Sequence, residues 1–165
     1  MTRIEKLAEK YAIKYHEGQF RKKSRAPYVV HPKHVVELLK QYDVKDQETL
    51  AIAWLHDTLE DTVLSYSQIK NTFGSRVADG VHFLTRDVNE IVYKQRLLTA
   101  PEDIQLVKLC DTIDNIKNLE VYSPRGLQRK IVDCNSFYIP LAEKIKPEIA
   151  DKMKFYLDNY EKSKH

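Results

Sequence analysis

The sequence is 165 residues long, 42% hydrophobic and 31% charged, which excludes a disordered or fibrous chain and suits one compact domain with a real core. Lys and Arg number 27 against 24 Asp and Glu, a net charge of +3, too little for the basic stripe that nucleic-acid binding requires. No apolar run approaches the roughly 20 residues of a membrane span, and the charged N-terminal segment lacks the apolar stretch of a secretory signal. A cytoplasmic protein without membrane or nucleic-acid partners is expected. Cys110 and Cys134 fall in apolar helical patterns without CxxC spacing and are expected as buried free thiols.

Only four glycines and a sustained 3.6-residue periodicity predict an all-α chain. Ile4, Leu7, Ala8, Tyr11 and Tyr15 line one face of a first helix, which Gly18 ends. The polar segment Gln19 to Ala26 reads as a loop carrying Arg21, Lys22, Lys23 and Arg25. Pro27 to His31 then leads extended into a helix from Pro32 to about Tyr42, because a residue before proline is pushed out of the helical region. Asp46 is placed to cap a third helix through Trp54 to about Asp57. Ser65-Tyr66-Ser67-Gln68 has the capping-box pattern for a short helix closed by Gly74.

Helical patterns follow over Ser75 to Leu84 and Asn89 to Leu98. Pro101-Glu102-Asp103 opens a strong helix with Leu106, Val107, Leu109, Cys110, Ile113 and Ile116 inward. After Ser123-Pro124 comes a long helix with a kink expected at Pro140, and Pro147 opens a last helix to about Tyr160. Residues 161–165 read as a frayed tail, and residues 1–160 as a single domain.

The chemistry concentrates in His56-Asp57-Thr58-Leu59-Glu60-Asp61, directly after the apolar run Leu50 to Leu55. Desolvating charged groups there is costly without a partner or a metal. Asp111 likewise interrupts an apolar helical face, with Asn115 one turn later. His31, His56, Asp57 and Asp111 are therefore candidate ligands. Two imidazoles and two carboxylates suit Mn²⁺, Fe²⁺ or Mg²⁺ better than a closed structural zinc site, which favours cysteine. Taken singly, each has a plainer role: a turn histidine at His31, a helix end at His56-Asp57, a buried ion pair at Asp111, solvated acids at Glu60 and Asp61.

A histidine, then a His-Asp pair, then a distant aspartate on helices is the pattern of the HD-domain phosphohydrolases. The finer motifs are Tyr11-Ala12, His16-Glu17-Gly18-Gln19, Arg21-Lys22, Pro27 to Pro32, His56 to Thr62, Phe73-Gly74, and Val107 to Asp111 with Asn115. Together, from about Ile4 to Leu119, they resemble the hydrolase domain of RelA/SpoT homologues, including the stand-alone small alarmone hydrolases. The resemblance implies a compact all-helical HD-domain bundle holding one Mn²⁺ through His31, His56, Asp57 and Asp111. It implies removal of the 3′-pyrophosphate of ppGpp and pppGpp, with Glu60 and Asp61 positioning or deprotonating the attacking water. Arg21 and Lys22 would bind substrate, and Asn115 would lie near the ribose.

Metal chemistry also supports these assignments: a divalent ion lowers the pKa of bound water and polarises a phosphoryl oxygen. Glu60, four residues beyond His56, is the first choice for general base, with Asp61 assisting. The chain departs from its resemblance at Lys23-Ser24-Arg25-Ala26, where relatives commonly carry a glycine-bearing turn. The segment before Asp111 is also shorter, leaving Lys94 as a candidate substrate lysine. Tyr138 is a candidate pocket aromatic or a core residue. Another phosphorylated nucleotide (an adenine alarmone or NADPH) and a catalytically silent nucleotide-binding module remain the alternatives, and the sequence leaves oligomeric state open.

Overall fold

The structure, a computed structural model, describes residues 2–22 and 24–163. Lys23 of the basic loop and Lys164 and His165 of the expected tail lie outside the described residues. Among those described, the elements are helical, and the one β-bridge joins Phe20 to Pro27. The chain forms two compact units, 1–108 and 109–165.

The first unit is built around α3. Its helices begin with α1 (Arg3–Tyr15), α2 (Val30–Gln41), α3 (Gln47–Leu55) and the single turn α4 (Thr58–Asp61). They continue with α5 (Tyr66–Phe73), α6 (Ser75–Leu84), α7 (Glu90–Thr99) and the start of α8 (Glu102–Ile116). Every residue from Thr49 to Leu55 is buried, because α1, α2 and α6 all pack on α3. Side chains such as Ile52 and Leu55 each contribute about 1.5–3 kcal/mol when fully removed from water. A Cβ on Gly80 of α6 would stand 2.4 Å from Ile52 Cδ1, so glycine is what allows α6 this close to α3.

The caps follow the expected chemistry. Asp46 accepts from the Thr49 amide at 2.8 Å, and Ser65 and Gln68 form a complete capping box. Gly74 closes α5 at φ +91°, a conformation that costs glycine little.

Three expectations for this unit change. The buried face of α1 is Glu5, Ala8 and Ala12, whereas Leu7 is 36% exposed. The small alanines seat α1 against α3, and Glu5 tolerates burial because Lys40 Nζ meets its carboxylate at 2.5 Å. The second helix begins at Val30, not Pro32, so His31 lies in its first turn and the approach is a turn rather than extended chain. Pro32 is accommodated because amides of a first helical turn have no intrahelical acceptor. Finally, α3 stops at Leu55, and His56 and Asp57 form a turn before α4.

In the second unit a 3₁₀ turn (Leu119–Val121) precedes α9 (Pro124–Asp133). A π-helical segment, Cys134–Tyr138, leads to α10 (Ile139–Ile145), and α11 spans Pro147–Lys162. The expected kink at Pro140 takes the form of this π segment, since proline cannot donate the regular helical bond and the preceding turn widens. Packing of α10 on α11 buries Leu141, Ala142, Ile149 and Met153. The last helix runs two residues past the expected Tyr160. Cys110 and Cys134 are free and buried, and burial pushes the Cys110 thiol up to about 12, which keeps it protonated and unreactive at neutral pH.

Candidate metal centre

The end of α3 sets the first donors. A helix leaves its last carbonyls without intrahelical partners, and here side chains take two of them. The His56 ring meets the Ala53 carbonyl through Nδ1 at 2.8 Å, and the Thr58 hydroxyl donates to the Leu55 carbonyl at 2.7 Å. A carbonyl only accepts, so His56 Nδ1 carries a proton, and Nε2 is the nitrogen turned inward. Such second contacts are what orient a metal-ligating imidazole.

That Nε2 lies 3.3 Å from His31 Nε2. Asp57 Oδ2 is 3.2 Å from His56 Nε2 and 3.5 Å from His31 Nε2. Donors about 2.1 Å from one ion and at right angles to each other stand about 3 Å apart, so this N, N, O set fits a divalent cation. Both histidines are nearly sealed, at 2% and 3% exposure, whereas Asp57 keeps 21%, leaving the carboxylate side open to solvent. The Tyr28 hydroxyl donates to the same Asp57 oxygen at 2.6 Å. Sequence reasoning missed this tyrosine, because a hydroxyl in a loop carries no periodic signal.

Asp111 is buried on α8 as expected of a carboxylate inside an apolar face. Its Oδ1 accepts from Asn115 Nδ2 at 2.5 Å one turn later, and the Tyr122 hydroxyl reaches the Asn115 carbonyl at 3.2 Å. Asn115 therefore orients a candidate ligand.

Glu60 and Asp61 sit on the exposed turn α4. The Glu60 carboxylate accepts the Arg86 amide at 2.9 Å. Burial raises the Asp61 carboxyl above the ordinary carboxylate range, with the charges of Asp57 and Glu60 adding to the effect. A raised pKa strengthens a carboxylate as a base.

Backbone hydrogen bonds tie the two ends of the basic loop together. The Tyr28 amide donates to the Gln19 carbonyl at 2.9 Å and the Arg21 amide to the Ala26 carbonyl at 2.8 Å, closing a narrow hairpin that presents Arg21 and exposed Lys22. Arg25 takes φ +52° in its turn, the conformation for which glycine is the usual choice. At the loop's base His16 Nδ1 lies 2.8 Å from Gln19 Oε1, and Gln19 Nε2 donates to the Asp61 carbonyl at 2.7 Å. Burial holds the His16 imidazole below its usual range, the Gln19 bond and Asp57 partly offsetting it. Lys94 lies 3.4 Å from Glu90 on the same helix face, and Tyr138 is buried beside Phe137.

An all-helical chain carrying buried imidazoles beside a His-Asp pair defines a class, and residues 8–145 match the model of the HD domain. The chain belongs to the HD-domain family. HD domains bind divalent metal ions, and within the first unit buried His31 and His56 stand beside Asp57 as donors able to hold one.

Among curated relatives, the guanosine-3′,5′-bis(diphosphate) 3′-pyrophosphohydrolase of Aquifex aeolicus is 36% identical over 162 residues, covering 88% of this chain and 23% of the relative. The GTP pyrophosphokinase of Myxococcus xanthus is 32% identical, with 90% of this chain and 22% of the relative covered. The chain thus spans less than a quarter of the length of these relatives. A solved structure described as a metazoan ortholog of SpoT that hydrolyses ppGpp superposes with a TM-score of 0.85 at 22% identity, covering 97% of both chains. That superposition establishes the shared fold. Among the described residues, no helix is long and apolar enough to cross a membrane.

Proposed function

We propose that this chain is a metal-dependent phosphohydrolase that removes the 3′-pyrophosphate of ppGpp and pppGpp, giving GDP or GTP and pyrophosphate. The observation that carries the reading is the convergence of His31 Nε2, His56 Nε2 and Asp57 Oδ2 within 3.5 Å of one another. Its substrate side is supported by the name of the Aquifex aeolicus relative. Mn²⁺ is the ion proposed, with Asp111 as the fourth protein ligand. Residues 1–160 act as one catalytic domain, a reading supported by an HD match that covers 8–145, and the location proposed is the cytoplasm.

A divalent ion held by His31, His56, Asp57 and Asp111 would supply positive charge that acidifies water and polarises the phosphoryl group. The chain's residues do the rest. The bond from His56 Nδ1 to the Ala53 carbonyl fixes the ring's orientation, and Tyr28 holds the Asp57 carboxylate in place. Glu60 takes a proton from the attacking water, with Asp61 as its assistant, water oxygen forms the new P–O bond, and the 3′ oxygen leaves with the electron pair of its broken P–O bond and takes up a proton to become the 3′ hydroxyl. Arg21 and Lys22 draw the polyphosphate in, Arg21 offering the planar fork suited to phosphate. Asn115 faces the nucleoside while steadying Asp111.

The test is a nucleotide panel with purified protein. With Mn²⁺, ppGpp should yield GDP and pyrophosphate, and EDTA should stop the reaction. Intact ppGpp beside cleavage of an adenine alarmone or NADPH would reassign the substrate. Binding without turnover of any of them would assign the silent module.

A further inference from the structure

The turn α4 is four residues long, too short to hold itself together in water, because helix nucleation is unfavourable. Its geometry must be imposed from outside. One support is Gln19, whose Nε2 donates to the Asp61 carbonyl at 2.7 Å. That carbonyl only accepts, so the amide NH₂ faces α4 and Oε1 faces His16. An amide oxygen also only accepts, so the His16 nitrogen 2.8 Å away is a protonated Nδ1. His16 is 3% exposed, and its Nε2 is buried without a hydrogen-bond partner among the described residues.

A buried imidazole with one ring nitrogen unsatisfied costs free energy, and an apolar ring would avoid that cost. What the imidazole provides here is a donor that selects one orientation of the Gln19 amide. Gln19 also works through its backbone: its carbonyl accepts the Tyr28 amide at 2.9 Å, and Tyr28 carries the hydroxyl bound to Asp57 Oδ2. One residue therefore supports both the acid turn, through its side chain, and a metal donor, through its main chain.

We propose that His16 and Gln19 form a positioning relay in which His16 locks the Gln19 amide and Gln19 holds α4, aiming the Glu60 and Asp61 carboxylates at the reacting water. The effect on turnover rests on the phosphohydrolase reading, whereas the effect on α4 does not. Gln19→Leu removes the donor to α4 and leaves the backbone bond to Tyr28. Its kcat on ppGpp should fall about 10²-fold, the scale of a misplacement of about 1 Å, while KM and Mn²⁺ affinity stay within about twofold of wild type. His16→Leu should act in the same direction, and His16→Asn, whose amide N–H can stand in for Nδ1–H, should recover most of the loss.

The measurement independent of activity is amide exchange in Mn²⁺-loaded protein. The Asp61 and Thr62 amides, which close α4 onto Asp57 and Thr58, should exchange about fivefold faster in Gln19→Leu, the scale of one lost hydrogen bond. Amides of α11 serve as the control for global unfolding. Wild-type kcat in Gln19→Leu, or a slow variant with unchanged α4 exchange, would overturn the relay. Failure of His16→Asn to rescue would remove His16 from it. If wild type leaves ppGpp intact, the substrate reading falls and α4 exchange still decides the relay.

Discussion

His56 of the imidazole cluster and the acid turn share one six-residue stretch, from His56 to Asp61, yet the cluster and the turn are held by opposite means. His31 and His56 are fixed by the core: both are nearly sealed, His31 on α2, which packs on α3, and His56 in the turn that ends α3. Glu60 and Asp61 are exposed on a single turn and are held by hydrogen bonds from Gln19 and Arg86. On the proposed mechanism the first region would seat the cation and the second supply the base, so changes in the two regions should separate metal affinity from turnover.

The comparison breaks most severely at His56. His56→Ala removes a donor and leaves the Ala53 carbonyl unsatisfied, and Mn²⁺-dependent turnover should drop by roughly 10³-fold or more, several kcal/mol of lost charge stabilisation. Calorimetric titration with Mn²⁺ should show binding lost in parallel. Glu60→Gln tests the other region: turnover should fall by about 10²–10⁴-fold, the usual worth of a general base, with Mn²⁺ affinity retained. Equal loss of affinity in both variants would erase the distinction.

Tyr28→Phe probes the join between them. It deletes the hydroxyl at Asp57 Oδ2, and a lost contact of this kind lowers metal affinity about 10–100-fold. Unchanged affinity would show that Asp57 needs no such support. The smallest effect is expected at Asp46, remote from the chemistry. Burial alone would raise its carboxyl, but bonds from the Thr49 amide and hydroxyl and from Arg76 outweigh this and lower it.

A depressed folded pKa adds stability that is present above the unfolded value, about pH 4, and disappears as pH falls through the folded one. Asp46→Ala should therefore cost about 1 kcal/mol near neutral pH, roughly 2–4 °C in Tm. The gap from wild type should close in acid. A gap that widened in acid would contradict the linkage.

Local chemistry was legible in the chain wherever one residue and its near neighbours decide the outcome. The Asp46 cap, the Ser65–Gln68 box and the Gly74 stop depend on contacts within four residues, and they stand where the patterns put them. His56, Asp57 and Asp111 were conspicuous because polar groups at or inside apolar runs contradict their surroundings, whereas His31, alone a turn histidine, stood out only through its spacing to them. The start of α2 was misplaced because the bias against helix before proline is weak beside the packing of Val35, Val36 and Leu39. The face of α1 was misjudged because Glu5 finds Lys40 from another helix, a partner 35 residues away that no local pattern shows.

The sequence by itself determined an all-helical chain with a metal-ready His-Asp segment, because periodicity, caps and charges within apolar runs are short-range properties. Only the tertiary structure decided that Tyr28 holds Asp57, that Arg86 meets Glu60 and that Gln19 reaches across 42 positions to the acid turn. Those contacts depend on where distant segments come to rest. Hydrogen bonds act over about 3 Å, and spacing along the chain carries no record of which loop will arrive within that range.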